Sequence, residues 1–165
     1  DAGRLAFAAP PLRRSGPLDA TQLQQIRETL GLGEGEVRAH QWVDNGPGWC
    51  AVLLDSAERV LALRPDWPRL GTLKLGVVGR HPAGSEAQFE LRAFIGGGNF
   101  EDPVTGSLNA SLAQWLIGEG LAPAAYVAAQ GTAMGRAGRV FVQSQDGNVW
   151  VGGQVTPCIE GQVNL

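Results

Sequence analysis

The chain has 165 residues, of which 44% are apolar and 18% are charged, and its formal net charge is -3. This composition is typical of a single globular domain with a hydrophobic core, and without any block of basic residues it predicts neither a nucleic-acid partner nor an acidic membrane surface as partner. No apolar run approaches the roughly 20 residues that cross a bilayer, so we expect no membrane association.

The two cysteines, Cys50 and Cys158, lie far apart in sequence and lack CxxC spacing. Neither a zinc site nor a disulfide framework is therefore predicted, and we expect both thiols to be small buried hydrophobic groups in strands. A reducing, cytoplasmic setting fits this usage best. The chain begins at Asp1 and its only methionine is Met134, so we expect a further segment before residue 1.

The first clear secondary-structure signal is a helix that follows an extended segment at residues 4–9. Asp19 is a good N-cap, and Gln22, three residues later, completes a capping box. Apolar residues then recur with helical spacing as far as Leu30, and Gly31 is a typical helix end.

Strand signals dominate the rest of the chain. Alternation predicts a strand at 37–43, a turn follows at 44–48, and a continuous apolar run predicts a buried strand at 49–55. Further strands are predicted at 72–79, 88–95, 139–144 and 148–152, the last two joined by a favoured Asp146-Gly147 hairpin turn. With no alternating strand–helix rhythm, the pattern favours an α+β domain with a mixed or antiparallel sheet.

A second helix is predicted at 108–117. Its apolar residues recur at i, i+4, i+7 and i+8, which are Leu108, Leu112, Trp115 and Leu116. This stripe is wide enough to be buried against a sheet, so we expect the strands to wrap around this helix.

The segment EDPVTGS, residues 101–107, precedes that helix and carries the most chemistry. Because Pro103 disfavours helical backbone at Asp102, the carboxylate of Asp102 is presented from a constrained turn. The amides of Thr105, Gly106 and Ser107 are the first donors of the helix and lie at the positive end of its dipole. Such a helix start can hold the carboxylate of a ligand while Asp102 orients the ligand or exchanges a proton at the adjacent carbon.

The same segment also has a purely structural interpretation, in which Asp102 is an Asx-type turn residue and the glycines before it are a connection. Glu101 is adjacent to Asp102, but neighbouring residues of an extended segment point apart, so we expect only Asp102 to face a site. The triple glycine at 96–98 lacks the spacing of a phosphate-binding loop.

The sequence NFEDPVTGSLNASLAQWLIGEGL, followed by Gln130-Gly131, the turn at 135–138 and the segment VWVGG, resembles the C-terminal half of the phenazine-biosynthesis isomerase (PhzF-like) family. The resemblance covers essentially the whole chain, residues 1–165, as one domain. It implies a diaminopimelate epimerase-like fold, in which each of two α+β domains wraps a curved sheet around a central helix and the active site lies between the domains. It also implies that the N-terminal half of the site, with the glutamate that shuttles the proton, is absent from this chain.

The resemblance implies roles for individual residues. Asp102 and Ser107 would be the catalytic contribution of this half, and Thr105 and Gly106 would bind the substrate carboxylate. In the related epimerases a loop at the position of Asn45 carries an asparagine into the cleft, which makes Asn45 a candidate, although a plain turn between two strands is the simpler interpretation.

Three other positions are less specific. Asn109, on the first helical turn, either faces the ligand or is an exposed helix position. Arg136 either reaches a carboxylate or pins its turn, and we favour the pinning. His40 and His81 are predicted to be structural histidines, not catalytic ones.

Two hypotheses for function follow. The first is one half of a cofactor-independent and metal-independent isomerase that transfers a proton on a small carboxylate substrate and is inactive without its N-terminal half. The alternative is a non-catalytic module for small-anion binding or for dimerisation. In the alternative, an apolar face left by the missing domain would promote pairing of two copies, and we expect a homodimer.

Overall fold

A computed structural model describes residues 4–163 and contains one mixed β-sheet with helices on both faces. The strands are β1 (Arg4–Ala8), β2 (Val37–Trp42), β3 (Trp49–Leu54), β4 (Lys74–Arg80), β5 (Phe89–Ile95), β6 (Phe100–Asp102), β7 (Ala125–Gln130), β8 (Gly138–Gln145) and β9 (Asn148–Gln154). The helices are α1 (Ala20–Leu30), α2 (Ala57–Ala62), α3 (Trp67–Leu70) and α4 (Gly106–Gly118), and a 3-10 turn spans Thr132–Met134. None of the helices within residues 4–163 is long and apolar enough to cross a membrane.

The sheet has the strand order β1-β9-β8-β7-β5-β4-β3-β2. The pairs β3–β4 and β5–β7 are parallel and the other neighbours are antiparallel. The sheet branches at β5, because Phe89 to Leu91 pair with β7 whereas Ala93 to Ile95 pair with β6. The chain leaves the sheet at this branch, through β6, and enters α4.

Helix α4 is the centre of the first hydrophobic core. All four residues of its predicted apolar stripe are buried, and so are Ala110 and Ala113 on its other sides. Residues from β3, β4, β5, β7, β8 and β9 pack in the same cluster. The small alanine side chains allow the sheet to approach α4 from several directions. The predicted α+β class, with a curved mixed sheet wrapped around a central helix, is confirmed.

The second core lies on the opposite face of the sheet, beneath α1, α2 and α3. The predicted capping box of α1 is present, since Asp19 accepts a hydrogen bond from the amide of Gln22 while the Gln22 side chain accepts from the amide of Asp19. Gly31 ends α1 in the left-handed conformation, with φ of 61°. The sheet thus separates two cores, and among the α-helices of residues 4–163 only α4 lies in the first core.

The expectation for Cys158 is wrong. Cys50 is fully buried in β3, but Cys158 is exposed in the segment 155–163, which has no regular secondary structure. Strand β9 ends at Gln154, and Pro157, which lacks an amide hydrogen, precedes the cysteine.

Candidate functional site

The turn between β6 and α4 places the candidate site at the N-terminal end of the central helix. Asp102 pairs with Ala93 at the end of β6, and Thr105 is the N-cap of α4 with extended backbone, φ -116° and ψ 99°. The helix begins at Gly106, two residues before the predicted start. Pro103 and the N-cap residue Thr105 therefore restrict the backbone of DPVTGS, residues 102–107, where the chain passes from β6 into α4.

The two adjacent carboxylates of β6 point in different directions, as expected for an extended segment. Glu101 forms a buried, bidentate ion pair with Arg92, with distances of 2.9 and 2.6 Å. Arg92 also donates to the carbonyls of Val60 and Leu63 at the end of α2. Glu101 is therefore a structural anion on the α2 side, and only Asp102 lies on the side of the helix start.

Asp102 is held by its own turn. The hydroxyl of Thr105 donates to Asp102 Oδ2 at 2.6 Å. No donor within residues 4–163 reaches Asp102 Oδ1. One oxygen of the carboxylate is thus fixed by the protein, and the other remains open to a ligand.

Gln130, at the end of β7, holds this turn together and was not among the predicted site residues. Its Oε1 accepts from the amide of Thr105 at 3.0 Å and from Asn109 Nδ2 at 2.8 Å. Its Nε2 donates to the carbonyl of Asp102 at 2.9 Å and to the hydroxyl of Thr105 at 3.0 Å. The signal that could have identified it is the Gln130-Gly131 pair, which contributed to the family resemblance.

The first amides of α4 are available to a ligand. We expected the amide of Thr105 to be unpaired as well, but it donates to Gln130. The amides of Gly106, Ser107 and Leu108 have no acceptor within residues 4–163, and no side chain caps this end of the helix. These three donors lie at the positive end of the helix dipole, so together they can bind an anion.

Ser107 is the residue on which several groups converge. The indole Nε1 of Trp49 donates to Ser107 Oγ at 3.1 Å, and Asn45 Nδ2 donates to the Ser107 carbonyl at 2.9 Å. Because Trp49 can only donate, the hydroxyl hydrogen of Ser107 is free to donate elsewhere. Asn45 is only 8% exposed, and its Oδ1 is buried without a partner among the described residues. The structure thus brings Asn45 to the first turn of α4, beside Ser107.

Asn109 lies beneath the helix start, and its 2% exposure excludes the exposed-position interpretation. Its Nδ2 donates to the carbonyl of Thr105 at 2.9 Å as well as to Gln130. These contacts make Asn109 part of the network that supports the turn, and contact with a ligand stays a prediction.

An open apolar groove of about 740 Å³ borders the helix start. Its walls include Leu5, Phe7, Val104, Gly106 and Val151. A Cβ atom at Gly106 would lie 3.6 Å from the Phe7 ring, so a side chain at this position would narrow the groove where it meets the helix amides. Leu5, Phe7 and Val104 are large and exposed. The helix start therefore has a polar side and an apolar side.

The remaining candidate side chains lie outside this constellation. His40 Nδ1 accepts from the amide of Leu18 at 3.1 Å, and His81 Nε2 lies 3.1 Å from Glu90 Oε2. The turn of Arg136 is pinned by its backbone, since the Arg136 amide donates to the Gly131 carbonyl at 2.9 Å. Within residues 4–163, no three His, Cys, Asp or Glu side chains are grouped so as to hold a metal ion.

The sheet wrapped around a central helix, with its open helix start, defines a domain of the diaminopimelate epimerase-like fold class. Residues 4–161 match the family model described as phenazine biosynthesis-like protein, PhzC-PhzF. The chain belongs to this family.

Solved structures with the same fold are distant in sequence. A PhzF-family phenazine biosynthesis protein from Enterococcus faecalis is 21% identical with a TM-score of 0.72, and the match covers 100% of this chain and 59% of that one. A PhzF-family protein from Bacillus anthracis is 14% identical with a TM-score of 0.70, covering 92% and 57%. A predicted epimerase from Pseudomonas aeruginosa is 22% identical with a TM-score of 0.66, covering 92% and 55%.

The chain thus spans less than two thirds of the length of each of these structures. No curated protein sequence is significantly similar to it.

Proposed function

We propose that this chain is the C-terminal half of a cofactor-independent isomerase or epimerase of the phenazine-biosynthesis type, which transfers a proton on a small carboxylate-bearing substrate. The observation that carries the proposal is the open helix start at Gly106 to Leu108, with the free oxygen of Asp102 in the same turn. Membership of the family supports this reaction class, and the greater length of the matched structures supports a further domain, which we place N-terminal to this one.

Each group has a distinct role in this proposal. The substrate carboxylate accepts hydrogen bonds from the amides of Gly106 to Leu108 and from the Ser107 hydroxyl. Asp102 then lies next to the carbon that exchanges its proton, where its open oxygen orients the substrate or accepts a proton. The apolar groove beside Phe7 holds the non-polar part of the substrate and excludes water from it.

The N-terminal half supplies the second acid–base group, so this chain alone is expected to bind a carboxylate without turning a substrate over. We also propose that it acts in a reducing, cytoplasmic setting, since both cysteines are free thiols.

Two substitutions test the assignment. Ser107→Ala removes one hydroxyl donor, and since hydrogen bonds to charged groups contribute about 1.5–3 kcal/mol, we expect roughly tenfold to hundredfold weaker binding of benzoate. Asp102→Asn keeps the shape of the side chain but removes the acid–base group, so we expect proton exchange to fall about 10²–10⁴-fold with little loss of binding.

Binding is measured on the chain itself by following the amide resonances of Gly106, Ser107 and Leu108 during a benzoate titration. Exchange is measured as deuterium uptake from D2O into candidate carboxylates, with an N-terminal half of a PhzF-family protein added. Ser144→Ala and Asp146→Asn, far along β8 and its hairpin turn, are the matched controls. The assignment is wrong if the two site variants behave like these controls.

The second candidate, a small-anion-binding or dimerisation module, is favoured by the exposed apolar residues Leu5, Phe7 and Val104 beside the helix start. It predicts benzoate binding or self-association by this chain, and no deuterium uptake with any N-terminal half. Light scattering of the chain with and without benzoate distinguishes the two modules.

A further inference from the structure

We propose that Gln130 acts through Thr105 to fix the direction of the hydrogen bond to Asp102, so that Asp102 is held as a proton acceptor with a single oxygen left for the substrate. Gln130 and Thr105 are then positioning residues for Asp102. The catalytic part of this inference rests on the proposed function, whereas the hydrogen-bond direction itself does not.

The orientation of the Gln130 amide follows from its partners. The amide of Thr105 can only donate, so the Gln130 atom 3.0 Å away from it is the oxygen. The carbonyl of Asp102 can only accept, so the Gln130 atom 2.9 Å from it is the nitrogen. Both ends of the side chain therefore require the same orientation, and a flipped amide would place two like groups together at each end.

The hydroxyl of Thr105 has only one hydrogen to donate. Gln130 Nε2 donates to Thr105 Oγ1 at 3.0 Å, which fills an acceptor position of that oxygen. The Thr105 hydrogen is left for Asp102 Oδ2 at 2.6 Å. The chain of donors thus runs in one direction, from Gln130 to Thr105 to Asp102.

Burial makes this direction hard to reverse. Gln130 is 0% exposed and Thr105 is 6% exposed, so water is not available to compete with the two amide donations. Asn109, also buried, donates to the Gln130 oxygen and so helps to fix the same amide. Satisfied networks of this kind are rigid, because each lost hydrogen bond leaves a buried polar group without a partner.

The consequence for Asp102 concerns its two oxygens. Oδ2 already accepts from Thr105, whereas Oδ1 has no donor within residues 4–163. Because both lone pairs of Oδ1 are unoccupied, a proton or hydrogen-bond donor of the substrate is expected at Oδ1. The structure assigns Asp102 as an acceptor toward the substrate through this one atom.

The first test reads the hydrogen bond directly and needs no turnover. In the 13C-labelled chain, the resonance of Asp102 Cγ is recorded in H2O and in D2O, because a deuteron on the Thr105 hydroxyl shifts a carboxylate that accepts it. We expect a larger shift in the native chain and in Thr105→Ser, which keeps the hydroxyl, than in Thr105→Val, which has the same shape without it and leaves only solvent at Oδ1 as a donor. Equal shifts in the native chain and in Thr105→Val overturn the proposal.

The second test separates positioning from simple structural support, and uses the chain together with an N-terminal half of a PhzF-family protein. Thr105→Val is expected to lower kcat roughly tenfold to hundredfold with little change in KM, since the helix amides that hold the carboxylate are unaffected. Gln130→Met, of similar length but without a donor, is expected to lower kcat at least as much. Gln143→Met, on the exposed side of β8, is the matched control.

The double variant, Thr105→Val with Gln130→Met, tests whether Gln130 acts through Thr105. If Gln130 acts through Thr105, Gln130→Met lowers kcat by a smaller factor in the Thr105→Val background than in the native one. Equal factors in both backgrounds would show that Gln130 supports the fold independently and would overturn its positioning role. If even the native pair shows no turnover, the proposed function fails while the carbon-shift experiment still decides the hydrogen-bond direction.

Discussion

The two cysteines show at the residue scale how strongly burial changes the chemistry of one side chain. Cys50 lies in β3 with all of its surface covered, and desolvation raises the pKa of its thiol from 9.0 to about 12. Its Sγ lies 3.5 Å from the carbonyl of Lys74. Cys158 is exposed and shares none of this protection. Of the two cysteines, only Cys158 is expected to be accessible to alkylating reagents in the native protein.

This difference predicts a loss of stability at high pH. Above pH 9 the thiol of Cys50 ionises in the unfolded chain but stays protonated in the folded one, because burial raises its folded pKa. Its contribution is fully present below pH 9 and is lost as the pH rises from 9 toward 12, by at most about 1.4 kcal/mol per pH unit. Urea unfolding at several pH values, compared with Cys50→Ala, measures this slope.

Cys50→Ala should retain a shallower slope, since burial also raises the pKa of Tyr126. Identical slopes for the two proteins would contradict the assignment. Alkylation with iodoacetamide at pH 8 gives an independent check: mass spectrometry should find Cys158 modified in the native chain and both cysteines modified in urea.

How far single residues could be predicted from sequence depended on how local their contacts are. Asp102 and Ser107 could be proposed as site residues from the sequence, because a proline and a helix start lie within a few residues of them and the family resemblance falls on the same segment. Gln130 was missed because its contacts with Asp102 and Thr105 join positions 28 and 25 residues apart, on a different strand. Cys158 was misjudged because apolar neighbours in sequence do not show where a terminal strand ends.

At the scale of elements, the start of α4 depends on the close approach of the turn after β7. Gly131 has φ of +88°, and a Cβ atom there would lie 2.7 Å from the carbonyl oxygen of Pro103. A Cβ atom added to Gly118, the last residue of α4, would have no other atom within 4 Å. A side chain should therefore be tolerated at Gly118 but not at Gly131, so the two glycines can be compared directly.

Gly131→Ala is expected to destabilise the protein by about 2 kcal/mol or more, because it combines left-handed strain with a backbone clash. Gly118→Ala is expected to stabilise it by roughly 0.5 kcal/mol through helix propensity. Denaturant unfolding measures both. A neutral Gly131→Ala would mean that the turn can move away from Pro103, and amide shifts at Gly106 and Ser107 would then report that movement.

Helices and strands were found from the sequence when they were long and had a regular pattern of apolar residues. Strands β3, β4, β5, β8 and β9 were found from sequence within a few residues, as were α1 and α4. Strand β7, with the sequence AYVAAQ, was missed because alanine is not typical of strands, yet Ala128 of β7 packs in the same core cluster as α4. The short helices α2 and α3 were missed as well, being too short for helical periodicity, although Ser56 and Asp66 cap them.

At the scale of the whole molecule, the nine strands found within residues 4–163 differ in how much covers them. Strands β3, β4 and β5 lie between the two cores, and almost every residue in them is buried. Strand β1 is at an edge, has β9 as its one partner within residues 4–163, and has mostly exposed residues. Local stability should follow this gradient of burial.

Native-state hydrogen exchange is expected to show the slowest amides in β4 and β5 and the fastest strand amides in β1. The reason is that opening β1 breaks one ladder and exposes little core, whereas opening β4 requires both cores to separate. Amides of β2, the other edge strand, serve as the comparison because β2 is partly covered at Trp42. Protection of β1 equal to that of β4 would contradict this account and would point to a partner on that edge.

The branch of the sheet at β5 governs the order in which the molecule can assemble. Strands β2 to β6 are neighbours in sequence and can pair before α4 has been covered, whereas β7, β8, β9 and then β1 must close over the helix. The last pair, β1 with β9, joins Arg4 to Gln154 and carries the largest loop-closure cost. Until β7, β8 and β9 have closed over the helix, the face of α4 that carries Leu112 and Leu116 would be partly open to solvent, so we expect the half-assembled chain to be the species most prone to aggregate.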